Sequence, residues 1–304
     1  MYNQQIVQYP NGWKRTGNIF SYDHDWQIPA KTELWAYEKL ISGDDNELSN
    51  QYICFPWATL IDYLDHNPQK STKLLHALAN KPPKMALKVV TYCQHIYALK
   101  LLPYFKALGI TDIYWSHKIK GQCEAEGIKL HPYPLYPVMH YKRIKPYRNK
   151  PLKERKHLYS FIGAYQPGLY MTEVRKWIFN LPKRDDAIII ERSEWHFEQD
   201  IYRNQLHGES EAEAKQKVRE QHEKEYIEVM EDTVFCLCPS GSGPNSIRLW
   251  EAIEFGCIPV LISSQLELTK KLNCKYKFLE LLEKEEVIKN LPSFLSNARN
   301  DWFL

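Results

Sequence analysis

No stretch of this sequence stays apolar for the roughly 18 residues that a membrane-crossing helix needs. The opening MYNQQIVQYPNGWKRTG also lacks the apolar core of a secretory leader. These two absences predict a cytoplasmic protein that meets a membrane, if at all, only peripherally at its inner face. The seven cysteines (54, 93, 123, 236, 238, 257 and 274) are odd in number and scattered, which excludes a disulfide framework and fits a reducing compartment. There is no G-K-[ST], so a P-loop is excluded, and the one glycine-rich turn lacks the third glycine of a dinucleotide fingerprint. A formal net charge of +3, without any basic-aromatic RNA motif, argues against nucleic acid as a partner. No internal repeat or low-complexity tract is present.

What remains is a globular composition. Of the 304 residues 44% are hydrophobic and 25% charged, enough for a substantial core in one large or two ordinary domains. Aromatics reach 13%, a surplus that suits either clefts stacking on sugars or bases, or simply aromatic cores. The stretch 141–157, YKRIKPYRNKPLKERKH, holds eight Lys or Arg against one Glu, with two prolines. It reads as an exposed basic linker between an N-terminal domain (1–140) and a C-terminal domain (158–304). Its positive charge suits a solvated connection, or docking on anionic lipid or a charged glycan.

On both sides of that stretch, apolar runs alternate with helical patterns. QYICFPW (51–57), ALKVVTYC (86–93) and ITDIYWS (110–116) read as strands. HIYALKLLPYFKALG reads as a helix kinked at Pro103 with Gly109 at its C-terminal cap, and the proline-rich 131–138 as a connection. Downstream, HLYSFIGAY, AIIIE, TVFCLCP and CIPVLIS read as buried strands. The intervening LYMTEVRKWIFNLP, a charged helix over 209–231 and SIRLWEAIEFG read as helices. Buried strands alternating with helices give parallel sheets covered on both faces. The predicted fold is α/β, with two Rossmann-like doubly wound domains facing each other across a cleft.

Ligands of open parallel sheets collect beyond the carboxyl ends of the strands. That rule selects Gln94, His95, Ser116 and His117 in the first half, and Gly163, Ala164, Arg192, Ser193 and the 239–246 turn in the second. Histidines on one side and glycines, hydroxyls and arginines on the other suit a reacting partner and a nucleotide respectively. Within FCLCPSGSGPNSIRLWEAIEFGCIPVLIS (235–263), Ser246 is placed to cap the helix starting at Ile247, and Gly256 to end it. Gly241 and Gly243 let the turn approach an anion, which the helix start attracts. Arg248 supplies a forked guanidinium for a phosphate, and Glu251, on the same face, an acceptor for ribose hydroxyls. A plain βαβ corner stays open as the other reading. Cys236 and Cys238 are read as alternating across a strand with their thiols on opposite faces, so as packing residues; no metal site is expected.

The same stretch resembles the signature of the exostosin-type glycosyltransferases of family 47. That pattern runs F-C-L-x-P-x-G, S-x-R-x-x-E-A and G-C-x-P-V, matched here from Phe235 through Ser246, Arg248, Glu251 and Gly256 to Val260. RKHLYSFIGAY with Arg175 downstream is similar to a second family segment. The resemblance covers the C-terminal half. It implies a GT-B architecture, with an N-terminal acceptor-binding and a C-terminal nucleotide-sugar-binding domain. It also implies inverting, metal-independent transfer from a nucleotide-sugar, expected to be a UDP-sugar, to a glycan or glycolipid acceptor. No cofactor beyond that co-substrate is implied. The donor contacts carried over are Ser240, Gly241, Asn245, Ser246, Arg248 and Glu251, joined by Gly163 and Arg192. Ser264 stands where many members have Asp.

Such a reaction needs a base for the acceptor hydroxyl. His95, at a strand end, and Asp25, in the aromatic SYDHDW loop where a carboxyl pKa can rise, are the candidates, with His117 in reserve. Surface polysaccharide or lipopolysaccharide synthesis is the expected setting. A non-catalytic nucleotide-sugar-binding scaffold subunit is the alternative.

Overall fold

The structure is a computed structural model that describes residues 6–9, 12–43, 49–269, 272 and 278–303; Cys274 lies outside them. The chain forms two compact units. The first comprises Met1–Tyr136 with Asp200–Glu209, and the second Pro137–Gln199 with Ser210–Leu304.

The first unit is built on an eight-stranded sheet of order β1-β2-β3-β4-β5-β6-β8-β7. At one edge β1 (Ile6–Gln8), β2 (Trp13–Thr16) and β3 (Ile19–Tyr22) form an antiparallel meander. From β3 the sheet continues in parallel through β4 (Gln51–Cys54), β5 (Val89–Cys93), β6 (Asp112–Trp115) and β8 (Ile128–Pro132). The short β7 (Glu124–Ala125) closes the other edge as a hairpin with β8. Period-2 alternation divides the strand residues between two faces. Ile53, Val89, Cys93 and Ile113 pack with α2 (Trp57–His66), α3 (Pro68–Ala79) and α4 (Leu102–Ala107). Tyr52, Cys54, Val90 and Tyr92 pack on the opposite face with Ala36, Tyr37 and Leu40 of α1 (Thr32–Ser42). Both faces are thus covered, as the continuous apolar runs predict.

Three expectations change here. Pro103 does not kink a helix: a 3-10 turn over Ala98–Leu101 comes first, and Pro103 sits in the opening turn of α4, where its missing N–H costs nothing. His131 and Pro132 close β8 instead of belonging to a connection, because they pair in parallel with Tyr114 and Trp115 of β6. The wide helical segment Gln199–His207 lies mostly in the first unit although it comes from the second half of the chain. Leu206 is buried in the first unit's core, Asn67 Nδ2 donates to the Leu206 carbonyl at 3.1 Å, and Gln205 Nε2 donates to Thr59 Oγ1 at 3.2 Å.

The second unit is a five-stranded, all-parallel sheet of order β10-β9-β11-β12-β13. Its strands are β9 (His157–Ala164), β10 (Ala187–Arg192), β11 (Thr233–Pro239), β12 (Ile258–Ile262) and β13 (Leu279–Glu280). On one face Phe161, Phe235, Leu237, Val260 and Ile262 pack against Val174 and Ile178 of α6 (Val174–Phe179) and Ile288, Leu291 and Leu295 of α9 (Glu285–Phe303). α6 is shorter than the predicted helix, its first turn following an irregular 165–173 connection. α7 (Glu213–Glu231) and α8 (Ile247–Glu254) complete the unit.

Residues 141–157 are not an exposed linker. They begin in the last two residues of α5 (Val138–Lys142) inside the second unit, and two of their arginines are buried. Arg143 stacks its guanidinium 4.5 Å from the Phe255 ring and pairs with Glu231 at 3.0 Å. Arg155 donates to the Thr233 and Phe255 carbonyls. Lys142 and Lys150 pair with Glu223 and Asp232. Composition alone hid this, because the acidic and carbonyl partners lie 70 or more residues downstream.

Cys236 and Cys238 point to the same face of β11, not to opposite ones, since residues two apart share a face. Their sulfurs are 3.9 Å apart, and the Cys236 thiol meets the Met230 sulfur at 3.6 Å. Burial, with the neighbouring Cys238, pushes the Cys236 thiol well above its ordinary pKa, so it packs as a thiol. Among the described residues no group of three or more His, Cys, Asp or Glu is arranged to hold a metal. Nor is any described helix long and apolar enough to cross a membrane.

Candidate functional site

Two arginines meet at the carboxyl end of β9. Each is the second residue of a helix that follows a central strand: Arg175 in α6 after β9, and Arg248 in α8 after β11. Arg175 is 7% exposed. It donates from Nε to the Ser240 carbonyl at 3.1 Å and from Nη1 to the Ala164 carbonyl at 2.9 Å, with its guanidinium 4.1 Å from the Tyr170 ring. Arg248 lies 4.4 Å over the Phe161 ring and donates from Nη2 to the Ile162 carbonyl. Its Nε and Nη1 are shielded from solvent and have no partner. Gly163 lies between the two: a Cβ there would stand 3.0 Å from Arg248 Nη2 and 3.3 Å from Arg175 Nη1.

This geometry is electrostatically incomplete. Burial and the adjacent Arg248 push Arg175 down to about 9, still far enough above neutrality to keep it a cation. Two desolvated like charges, with unmade donor bonds on Arg248, are stabilised by an anion beside them. The start of α8 adds its unpaired N–H groups and positive dipole end. A phosphate or diphosphate satisfies all of these at once.

The turn from β11 to α8 is held by side chains. Asn245 Oδ1 accepts from the Ser246 N–H at 2.8 Å and from Trp250 Nε1 at 3.0 Å. Ser246 occupies the N-cap position as expected, but its hydroxyl makes no capping bond. The Gly241 N–H bonds the Gly243 carbonyl at 2.9 Å, and the Gly241 carbonyl accepts from Met171 at 3.0 Å. Ser240 Oγ donates to Glu283 at 3.0 Å, and Ser264 holds the other oxygen of the same carboxylate through its N–H and its hydroxyl. Gly256, at φ +68°, ends α8 in the left-handed conformation that favours glycine.

Two predicted donor contacts are placed otherwise. Glu251 is 4% exposed, and both its oxygens are engaged, one by the Met139 N–H at 2.9 Å and the other by the Tyr226 hydroxyl at 2.7 Å. Burial raises its pKa against the pull of those donors. Its first role is therefore to tie the start of α5 and the end of α7 to α8, not to present an open carboxylate. Arg192, at the end of edge strand β10, pairs with Glu225 of α7. That pairing directs it to the helix and not to the arginine pair.

In the first unit, His95 is partly buried and makes two ring contacts. Its Nε2 is 3.2 Å from Asp62 Oδ1, and its Nδ1 accepts from the Tyr97 N–H at 3.1 Å. Asp25, at φ +59°, pairs with Lys73 at 3.3 Å instead of standing in apolar surroundings. His117 is buried, and burial together with His95 lowers it to about 3, so it is neutral at pH 7. Gln94 donates to Gln27 and to the Ala30 carbonyl, and Ser116 to the Pro134 carbonyl.

The sequence reading noted Arg175 within the motif match but not as a donor contact. The available signal was positional, an arginine one residue into the helix that follows a buried parallel strand, as for Arg248. Asp62 and Glu33 were missed altogether, because neither lies at a strand end.

Comparison with known proteins fits this site. The Exostosin GT47 domain matches residues 115–278, more than half of the chain. A protein of Oryza sativa subsp. japonica named "Probable glucuronosyltransferase" is 39% identical over 83 residues, 27% of this chain and 20% of that protein. One of Arabidopsis thaliana named "Probable beta-1,4-xylosyltransferase" is 51% identical over 47 residues, 16% of this chain and 11% of that protein. The chain thus spans about a fifth or less of the length of these curated relatives. With its two parallel-rich α/β units and a family match that includes β9, both arginines and the β11-α8 turn, the chain belongs to the exostosin GT47 family, whose fold is GT-B.

Proposed function

We propose that this chain is an inverting, metal-independent glycosyltransferase that moves a sugar from a nucleotide-sugar, preferentially a UDP-sugar, to a glycan or glycolipid acceptor in polysaccharide synthesis. The observation that carries the proposal is the arginine pair around Gly163, with two donor groups of Arg248 unmatched. The names of the relatives make glucuronosyl and xylosyl donors the first to test. In the reaction the acceptor oxygen bonds to the anomeric carbon while the bond to the diphosphate breaks and its electron pair leaves on the diphosphate. Arg175 and Arg248 stabilise that growing charge, as preorganised donors in a dry site do. The β11-α8 turn positions the phosphates through backbone N–H groups. Glu251 acts on the nucleotide indirectly, by fixing α8, and a ribose hydroxyl would have to share its already engaged oxygens.

Calorimetric titration of UDP tests the anion site. Arg248→Ala removes charge-assisted hydrogen bonds worth about 1.5–3 kcal/mol, a loss of roughly ten- to a hundred-fold in affinity. Unchanged UDP affinity removes the assignment. Release of UDP from UDP-glucuronate or UDP-xylose by the purified chain separates an enzyme from a scaffold subunit, which binds without turnover. Contact with an anionic membrane has weaker support, since much of the basic charge of 141–157 is matched within the second unit.

A further inference from the structure

Beyond the carboxyl ends of β11, β12 and β13, all within the second unit, two serine hydroxyls converge on one carboxylate. Ser240 follows β11, and its N–H donates to the Ile262 carbonyl at the end of β12 at 3.1 Å. Ser264 lies just past β12, and Glu283 just past β13, where the Leu281 N–H still bonds the Leu261 carbonyl at 2.8 Å. Glu283 Oε1 accepts from the Ser240 hydroxyl at 3.0 Å. Its Oε2 accepts from the Ser264 N–H at 3.2 Å and from the Ser264 hydroxyl at 2.6 Å. The Ser240 hydroxyl is also 3.3 Å from that of Thr172. A hydroxyl has one proton, and that of Ser240 goes to Glu283, so Thr172 is the donor in this pair. Every hydroxyl proton of the cluster thus runs toward the carboxylate.

The cluster adjoins the arginine pair, because the Ser240 carbonyl accepts from Arg175 Nε at 3.1 Å. Its own chemistry is the opposite. Among the described residues the partners of Glu283 are the two serines, and no cation. Glu173, by contrast, is paired with Lys176, and Glu251 is buried against Met139 and Tyr226. Glu283 is half-buried and Ser264 is exposed. A carboxylate offers about four acceptor positions, and the serines fill three of these, which leaves one on Oε1. The Ser264 oxygen, its proton given to Glu283, likewise has only lone pairs to offer. A phosphate brings negative charge and further acceptors, so it is repelled here. A group with neutral hydroxyls, which donates to both oxygens, fits.

We infer that Glu283 is a specificity-determining residue that reads hydroxyls of the donor, an inference that rests on the transferase reading above. With the diphosphate on Arg175 and Arg248, one neutral polyol arm of the nucleotide-sugar lies along the ends of β11 and β12. A hydroxyl of that arm donates to Glu283 Oε1, and a second donates to the Ser264 oxygen. The charge of Glu283 at the same time confines the diphosphate to the arginines. Ribose and the transferred sugar share this hydroxyl chemistry, and the choice of ligand separates them.

The test is calorimetric titration of the full chain with inorganic pyrophosphate, which has neither arm, with UDP, which has the ribose, and with UDP-xylose, which has both. Glu283→Gln keeps the shape of the side chain and removes its charge. It should weaken UDP-xylose about ten-fold or more, the scale of one charge-assisted bond, and leave pyrophosphate no more than about two-fold weaker. A loss already complete with UDP assigns the ribose to Glu283, and a loss seen only with UDP-xylose assigns the transferred sugar. Unchanged affinity for UDP-xylose overturns the inference. So does an equal loss for pyrophosphate, since Glu283 then acts only by holding Ser240 and Arg175 in place. Should Glu283→Gln lower the melting midpoint by more than a few degrees, Glu283→Asp, which keeps the charge but withdraws the oxygens by one methylene, carries the same criteria. A parent chain that binds all three ligands keeps the arginine site whatever Glu283 does. One that binds none overturns the arginine site, and this inference with it.

Discussion

Gly163 has no side chain, and in this site that is its function. Its backbone lies where two guanidinium groups close in, and a single methyl at that position would stand 3.0 Å from Arg248 Nη2. The contact atoms are ends of side chains, so the methyl moves them without unfolding the strand. Gly163→Ala is therefore expected to weaken UDP binding roughly ten-fold, the scale of one charge-assisted bond lost. Its thermal midpoint should stay within a few degrees of the parent, and calorimetry alongside a melting curve checks both; a large fall in midpoint with intact affinity would reverse the reading. At this scale the sequence was informative about Arg248, because its place at the start of a helix after a glycine-rich turn is a local pattern. It was uninformative about Glu251 and Arg192. What occupies their side chains comes from α5 and α7, and such pairings leave no trace in local spacing.

Among elements, α1 depends on one carboxyl. Glu33, in the first turn of α1, accepts from the Ala58 N–H at 3.1 Å and from the Gln94 N–H at 3.1 Å, joining α1 to the start of α2 and the end of β5. Burial raises it to about 8 against the opposing pull of those N–H groups. The native state therefore keeps a proton that the unfolded chain releases above about 4.5. Between those values the folded state binds more protons, so this group makes stability fall as pH rises. His117, lowered to about 3, acts in the opposite sense below its unfolded value of 6.5. Subtraction separates them: in urea unfolding followed by tryptophan fluorescence, Glu33→Gln should lose less stability than the parent between pH 5 and 8. Parallel curves would remove the carboxyl from the account. The strands were legible because VVTYC and TVFCLCP are buried on both faces and carry continuous apolar runs. The helix α1 was not, since its apolar positions are interleaved with Glu33, Glu38 and Lys39 and its anchor is a buried acid.

Over the whole molecule, sequence order and spatial grouping part company at Asp200–Glu209. Pattern reading divides a chain at compositional breaks, and it placed the break at the basic stretch. The structure divides it at Tyr136 and then returns ten residues to the first unit. Leu206, 1% exposed within that unit's core, is the anchor. Leu206→Ala should destabilise the first unit by about 2–5 kcal/mol, the usual cost of emptying a buried leucine site. Hydrogen exchange should show the loss in α2 and β5 and leave β11 and β12 protected; equal loss in both sheets would mean the units unfold as one. The same return has a consequence for the intact chain's resistance to cutting. A break in the irregular 165–173 connection separates the two pieces covalently, yet the downstream piece still carries the ten residues that complete the upstream fold. The two fragments, made separately and mixed, should therefore recognise each other and reconstitute the first unit.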